Sequence, residues 1–416
     1  MPYGGPVIDT HCHVFRARDL PVEQFLIRVK GMPGPVAAAV ARLTKGWGWG
    51  FLFRIFSKAL IALLPRSTAE SYLEWAALLT RSNKSISKKM IQEYQEVVFF
   101  TPLMMDMVNW MGGKQRSPST QIRKMEGVMG SIIAQKAVML HPFVAFDPER
   151  ERTTGDSLTK VKDAIENRGF IGVKIYPPLG FRATQNTDLA GQPDLVNDYI
   201  RDENQATPLK DILEGWDKAL DQLYQYCIDM DVPITAHCTP GGAGAYGIHA
   251  DPQFWDIVLQ KYSNLRLNLA HFGGDLVDKK KTGWAWKIGK LMNTYTHVYA
   301  DTGAHKEIYE AATRTAYFTE LEKLFTAFPK AHTRYMYGTD WHMIVRHGRR
   351  YERFFEEYSR HYDDWYANKG FVVKDFFFNN AFEFLGLEIG NKNHTRLRQF
   401  YTQNPRLIWP PWLQKS

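Results

Sequence analysis

A short apolar, β-branched run that closes on a polar residue recurs eight times along this chain, and helical patterns lie between several of the runs. The runs cover 6–11, 96–101, 139–147, 170–176, 232–237, 265–271, 298–301 and 334–340. The clearest helical patterns run from Leu209 to Met230 and from Tyr309 to Phe328. Strands alternating with helices point to parallel pairing, because a parallel partner is reached only through a crossover and the helices then cover the outside. The expected class is α/β, and eight such units make a (β/α)8 TIM barrel the expected architecture, with a three-layer open sheet as the competing one. In such a barrel chemistry collects at the C-terminal ends of the strands. His11, Lys174, His237, His271 and Asp340 all lie at that end of their runs.

Two stretches exceed a minimal barrel. Residues 14–93 separate the first two strands, far beyond ordinary loop length, and are expected to form a helical insertion or cap. The expected layout is therefore a barrel over 1–390 with an insertion at 14–93, followed by an extended tail over 391–416 that ends in Trp409-Pro410-Pro411-Trp412. The second stretch, Phe181 to Thr207, is polar and rich in Gly, Asn and Asp, and reads as a long loop over the barrel mouth.

Charge is uneven. Residues 1–90 hold 13 Lys and Arg against 5 Asp and Glu, which equals the whole net charge of +8, and the rest of the chain balances. Within the basic part, segment 46–65 places Arg54 and Lys58 on one helical face of an otherwise apolar stretch. It is read as a lid or subunit interface, which would suit a homodimer, ahead of a membrane-surface helix. No basic stripe interleaved with aromatics is present, so nucleic acid is not an expected partner. No stretch reaches the roughly 18 apolar residues of a membrane span. The start lacks the cationic and apolar regions of a signal peptide. Three cysteines are too few for a disulfide framework at this length. Together these predict a cytoplasmic protein acting on a small molecule.

The chemistry concentrates in Asp9-Thr10-His11-Cys12-His13. Alternate residues of a strand point the same way, so His11 and His13 both face the barrel axis and form half a site for zinc or a similar divalent ion. His237, His271 and Asp340 each close their own run as well, and five such groups at successive strand ends are hard to explain as structural residues. A cation there with an open position acidifies water and polarises a carbonyl. Asp340 is then placed to take the proton of the attacking water. His271 is placed to hydrogen-bond the oxyanion that develops. Asp301, at the end of the seventh strand, is placed to hydrogen-bond a ligand histidine.

This set resembles the amidohydrolase superfamily: Asp-x-His-x-His after the first strand, single histidines after the fifth and sixth, and Gly338-Thr339-Asp340-Trp341 after the eighth. It is most similar to the amidohydrolase-related branch that contains aminocarboxymuconate-semialdehyde decarboxylase-like proteins. Pro142-Phe143-Val144-Ala145-Phe146-Asp147-Pro148 and the closing Asn379-Asn380-Ala381 … Leu385-Gly386-Leu387 extend the resemblance, which does not include 14–93. The resemblance implies His11, His13, His237 and Asp340 as metal ligands. It makes Asp340 and His271 the catalytic pair, with His271 alternatively a ligand of a second metal.

Lys174 stands in Gly-Val-Lys-Ile-Tyr-Pro-Pro, and two roles stay open for it. As a carboxylated lysine, which the resemblance to dihydroorotase-like members implies, it would bridge two metals. As an ammonium it would bind a substrate carboxylate. His342, two residues past Asp340, and Arg182 are further candidates for substrate contact, and Arg346 and Arg349 flank the same mouth. The leading expectation is a metal-dependent hydrolase acting on an amide, ester or lactone. The alternative is a metal-dependent non-oxidative decarboxylase of an aromatic or unsaturated acid. Zinc is the expected ion, with manganese and iron as alternatives.

Overall fold

A computed structural model describes residues 3–30, 33–45, 66–133, 138–240, 246–274, 276–277, 283–347, 353–366 and 370–413. The strands are β1 (Val7–Cys12), β2 (Val97–Pro102), β3 (Met139–Leu140), β4 (Phe143–Ala145), β5 (Gly172–Ile175), β6 (Ile234–His237), β7 (Leu267–Ala270), β8 (Val298–Asp301) and β9 (Tyr335–Met336). Every pairing between neighbours is parallel, in the orders β1-β2-β3 and β4-β5-β6-β7-β8-β9. Two bridges join these sheets: Leu103 pairs with Phe143, and Cys12 pairs with Trp341. The chain is thus an α/β TIM barrel, and each of the eight apolar runs contributes one stave.

The third run is split into β3 and β4 at His141-Pro142, where proline offers no N–H to the ladder. The strands are buried along their whole length except at Val98 of β2, as parallel strands covered by helices require. The crossovers include helices Leu209–Asp229 and Ala311–Ala327, which lie where the apolar periodicity places them.

The stretch after β1 is helical, with helices Val22–Lys30, Gly34–Lys45, Arg66–Leu79 and Asn83–Glu93. Within it, Asn83 Nδ2 donates to the Val14 carbonyl at 2.9 Å and to Asp19 at 2.9 Å. Two further bonds tie it to the barrel. Trp341 Nε1 donates to Glu93 at 2.7 Å, and Trp75 Nε1 donates to His342 Nδ1 at 3.0 Å. The basic segment 46–65 lies outside the described residues, as does Arg349. The long loop from Phe181 to Thr207 is more ordered than its composition suggests. It carries short turns at Asn186–Gly191 and Pro193–Leu195 and a helix at Asp198–Glu203, which Asn197 caps.

The extended tail expected over 391–416 is corrected by a helix at Lys392–Gln403. Its buried residues Asn393, His394, Leu397, Phe400 and Tyr401 repeat at helical spacing. The polar residues between them hide that face from a hydropathy reading. The helix closes the end of the barrel opposite the site. Asn393 donates to the Ile171 carbonyl at 3.0 Å, and Tyr401 reaches His141. Among the described residues no helix is long and apolar enough to cross a membrane.

His141 is fully buried between these layers. Its Nδ1–H donates to the Gly169 carbonyl at 2.8 Å, and Nε2 accepts from the Tyr401 hydroxyl at 3.1 Å. Burial pushes its pKa down from 6.5 to about 4, against the smaller opposing effect of the Gly169 bond. The folded protein therefore resists a proton that the unfolded chain accepts. Stability contributed by the neutral imidazole is complete above pH 6.5 and is lost as pH falls toward 4, by up to about 3 kcal/mol. His141→Gln keeps a donor and an acceptor without the titration. Urea unfolding at pH 7 and pH 4.5 should show a smaller loss of stability in this variant than in wild type; equal losses would contradict the assignment.

Candidate metal centre

The site is built on the ends of β1, β6, β7, β8 and β9. Asp9, although one of the most buried carboxyls, does not face the cluster itself; it joins the first strand to the last. Its Oδ2 accepts from Thr339 Oγ1 at 2.7 Å, and its Oδ1 accepts from the Thr339 N–H at 3.1 Å and the His11 N–H at 3.0 Å. Asp340 N–H donates to the His11 carbonyl at 2.6 Å, and His13 N–H to the Trp341 carbonyl. These bonds fix the loop after β9 against β1, which brings Asp340 in front of His11 and His13. Asp340 and His271 both hold positive φ, +55° and +65°. Non-glycine residues adopt that region rarely, and here the surrounding bonds determine it.

Hydrogen-bond bookkeeping assigns the protons. His13 Nδ1 lies 3.0 Å from the Leu103 carbonyl, which only accepts, so Nδ1 carries the hydrogen and Nε2 the lone pair. His11 Nδ1 lies 3.0 Å from both oxygens of Asp301. Burial raises the Asp301 carboxyl, but the His11 imidazole outweighs it, with help from His271 and Asn268, and holds the group well below the usual carboxylate range. Asp301 is therefore ionised, His11 Nδ1 donates, and His11 Nε2 also presents a lone pair. That nitrogen is buried without a hydrogen-bond partner. Both Nε2 atoms face Asp340 Oδ1, at 3.4 Å for His11 and 3.2 Å for His13. Burial works against ionisation of Asp340 as well, yet a proton on the adjoining histidines, His13 foremost, holds it below the carboxylate range.

With both imidazoles neutral, three acceptor atoms converge here with no hydrogen between them. A positive charge is required among them. A proton on one imidazole satisfies one contact, whereas a divalent cation satisfies all three. Their donor atoms lie within 4.8 Å of one another, as a metal site needs. A second group of the same compactness, His11, His271 and Asp301, uses the His11 nitrogen that Asp301 already occupies. It reads as support for the first group, the arrangement in which a carboxylate orients a ligating histidine.

His271 and His237 stand beside this group. The His11 and His271 rings are 4.5 Å apart, and the His237 and His271 rings 4.6 Å. His271 Nδ1–H donates to the Gly303 carbonyl at 2.9 Å, so its Nε2 accepts, and His237 Nδ1 donates to it at 3.1 Å. That leaves the lone pair of His237 on Nε2, which faces Thr239 Oγ1 at 3.4 Å. Burial, reinforced by His11, pushes His271 down to about 3. A neutral His271 accepts a proton at Nε2 and cannot donate there. In this arrangement Nε2 holds no hydrogen for the oxyanion expected of it.

The remaining candidates are placed differently. Lys174 is buried, with Nζ lacking a hydrogen-bond partner, and burial lowers its pKa to about 8. His342 is fully buried and uses both ring nitrogens, accepting from Trp75 and donating from Nε2 to the Phe15 carbonyl at 3.1 Å. It holds the insertion to the barrel, which corrects its expected contact with substrate. Arg182 stacks on Phe254 at 4.7 Å instead of turning to the histidines, and Arg346 stacks on Trp75. Asp301 has the partner expected for it. Reading the sequence missed Asn268, whose Nδ2 donates to Asp301 at 2.7 Å. It also missed Gly303, where a Cβ would lie 2.8 Å from His11 Nδ1 and 2.9 Å from Asp301 Oδ1. The run Asp301-Thr302-Gly303 was the available signal for the glycine. Asn268 had none.

Asp301→Asn leaves the shape intact but replaces the charged acceptor of His11 Nδ1 with an amide. Loss of such a partner typically weakens metal affinity by about 10–100-fold. Competition of the variant against a zinc chelator should show a loss of that size, with near-native circular dichroism. Wild-type affinity would remove Asp301 from the centre.

Residues 123–386 match the family model described as Amidohydrolase. Among solved structures, an uncharacterised TIM-barrel protein from Bordetella bronchiseptica is 13% identical, with 91% of this chain and 98% of that chain covered and a TM-score of 0.46. A probable 2-pyrone-4,6-dicarboxylic acid hydrolase from Acinetobacter baumannii is also 13% identical, covering 91% and 99% with a TM-score of 0.45. A 2,6-dihydroxybenzoate decarboxylase from Rhizobium is 13% identical, covering 92% and 99% with a TM-score of 0.41. No curated protein matches the sequence. The family match spans more than half of the chain and takes in the third to eighth staves, with every site residue beyond the first strand, and on it the chain belongs to the amidohydrolase family.

Proposed function

We propose that this protein is a metal-dependent hydrolase that directs water at the carbonyl of an amide, ester or lactone. The observation that carries the reading is the convergence of His11 Nε2, His13 Nε2 and Asp340 Oδ1, three buried ligand atoms within 4.8 Å of one another. His11, His13 and Asp340 would hold one divalent ion, zinc being the expected one, with His237 completing the set. When bound, that ion supplies Lewis acidity, polarising the substrate carbonyl and acidifying a water.

The chain's own groups suit removal of a proton from water. Asp340 is ionised at neutral pH and takes the proton as the oxygen attacks; it returns the proton to the leaving oxygen or nitrogen as the C–O or C–N bond breaks. His271 stays neutral, with its Nε2 accepting from His237. Lys174 gives the site a buried cation for an anionic substrate group.

One observation favours a second reading, non-oxidative decarboxylation. Protonation of carbon needs an acid, and the Lys174 ammonium, with its pKa near 8, is a proton donor adjoining the site. In that reading Lys174 or protonated Asp340 delivers the proton to the carbon that loses CO2.

Metal per chain, measured by plasma mass spectrometry on protein purified without chelator, comes first. One ion is expected in wild type and in Lys174→Ala, and none in the His11→Ala/His13→Ala double variant. Two ions, one lost with Lys174, would make that residue a carboxylated bridge. No metal even after reconstitution would overturn the mechanism. With the ion count established, a panel of esters and lactones should be hydrolysed, and Asp340→Asn should slow turnover by about 10²–10⁴-fold. Release of CO2 from aromatic acids without hydrolysis of any panel member would replace the first reading by the second.

A further inference from the structure

The turn that carries His271 is built in a conformation that its own residues resist. His271, Phe272, Gly273 and Gly274 all hold positive φ, at +65°, +46°, +79° and +66°. Glycine takes that region freely, whereas histidine and phenylalanine do so rarely. A Cβ on Gly273 would lie 2.7 Å from the Ala285 nitrogen, so the turn is pressed against the start of the helix Trp284–Thr294. A backbone held this way persists only where its surroundings determine it.

Three bonds hold His271. Asp301 accepts from its N–H at 3.0 Å, and the Gly303 carbonyl accepts from its ring Nδ1–H at 2.9 Å. The third is on its own carbonyl, which lies 2.8 Å from His305 Nε2. A carbonyl only accepts, so Nε2 of His305 carries the hydrogen and Nδ1 of the neutral ring is an acceptor. The Tyr317 hydroxyl, 2.8 Å from that Nδ1, donates to it. With its one hydrogen given to His305, Tyr317 accepts from the Tyr358 hydroxyl at 2.9 Å and from Tyr335. All four side chains are buried. The Tyr335 ring also packs 5.2 Å from Phe272, so the network touches the turn directly. A directed chain of hydrogens thus runs from the helix Phe354–Tyr366 to the His271 carbonyl.

His271 bears on the centre through Nε2, which accepts from His237 Nδ1 at 3.1 Å. That bond leaves the lone pair of His237 on Nε2, the atom with which it would complete the ligand set. A displaced turn breaks the bond and frees His237 to carry its hydrogen on Nε2 instead. We infer that His305 is a positioning residue of the metal centre: its Nε2–H pins the His271 carbonyl and, with Tyr317 behind it, fixes the tautomer that His237 presents to the ion. The inference rests on the metal-dependent reading given above, but one of its two readouts needs no ion.

Zinc affinity is measured by competition with a chelator on wild type, His305→Ala, His305→Gln and Tyr317→Phe. His305→Ala should weaken zinc about 10-fold, the lower end of the effect of losing an outer partner. Gln offers an amide N–H to the carbonyl and an amide oxygen to Tyr317, so His305→Gln should return affinity to within about 3-fold of wild type. Tyr317→Phe keeps the ring packing, should weaken zinc about 3-fold or more, and serves if His305→Ala does not fold. In chelated, metal-free protein, proton–nitrogen NMR of labelled histidines shows which nitrogen of His237 carries the hydrogen, its signals being those lost in His237→Gln. Nδ1 is expected in wild type and His305→Gln, and a mixture in the other two variants. A merely structural role would lower the urea midpoint and leave the tautomer alone. An unchanged tautomer in the folded variants overturns the inference whatever the affinity, and so does a wild type with the hydrogen on Nε2. A tautomer shift in protein that binds no zinc would uphold the inference while overturning metal-dependent hydrolysis. Zinc binding without a tautomer shift would do the reverse.

Discussion

The Asp301–His11 pair governs the chemistry of the whole centre. Asp301 sits at the end of its strand, fully buried, and receives the His11 ring, the Asn268 amide and the backbone N–H groups of His271 and Gly303. With so many donors its charge persists despite burial, and that charge keeps the hydrogen of His11 on Nδ1. The opposite tautomer would put a hydrogen on Nε2 and let His11 bond Asp340 directly. The His11–Asp340 contact would then be satisfied, and only the His13–Asp340 contact would still lack a hydrogen. One buried carboxylate, away from the proposed ligand atoms, thus favours the tautomer of His11 that turns a lone pair toward Asp340. Buried polar networks carry high stakes of this kind, because each member fixes the donor or acceptor state of the next.

The fold was legible because its signal is repeated. Eight apolar runs each end on a polar residue, and a barrel stave must do so, being enclosed along its length and open at one end. His11, His13 and Asp340 were legible for a related reason: they lie at strand ends or within two residues of one, where backbone direction follows from the strand. The failures lie where a residue's partner comes from a distant loop. His342 is two residues from Asp340 and was an equally plausible contact for substrate. Trp75, from the insertion, takes one of its nitrogens, and nothing local to either residue announces that meeting. Asn268 reads as an interrupting polar residue within Leu-Arg-Leu-Asn-Leu until Asp301 appears beside it. The helix at 392–403 was hidden by its own surface, since the polar residues between Leu397, Phe400 and Tyr401 outnumber the apolar ones.

The proton inventory bears on the choice between the two proposed chemistries, which the ligand set alone leaves equivalent. A hydrolase and a decarboxylase of this architecture can share every ligand. They differ in whether the residues around the reacting carbon begin by accepting a proton or by donating one. Asp340 ionised and His271 hydrogenated on Nδ1 are both acceptors toward the site. The balance tips the other way only through Lys174, whose amine lies on the opposite side of the question: charged, it anchors an anion or donates a proton; neutral, it does neither.

The loop after the last strand is held from two directions, and this connects the unusual part of the chain to the family's common part. From below, Asp9 grips Thr339 through both oxygens. From above, the insertion grips the two residues after Asp340, with Glu93 on Trp341 and Trp75 on His342. Asp340 lies between these anchors with its backbone in a region that a free loop would leave, so its position depends on both. An insertion that merely covered the mouth would need no bonds to buried groups at that point. That it fills both nitrogens of a buried histidine next to a proposed ligand means that the added helices help to build the centre as well as to cover it.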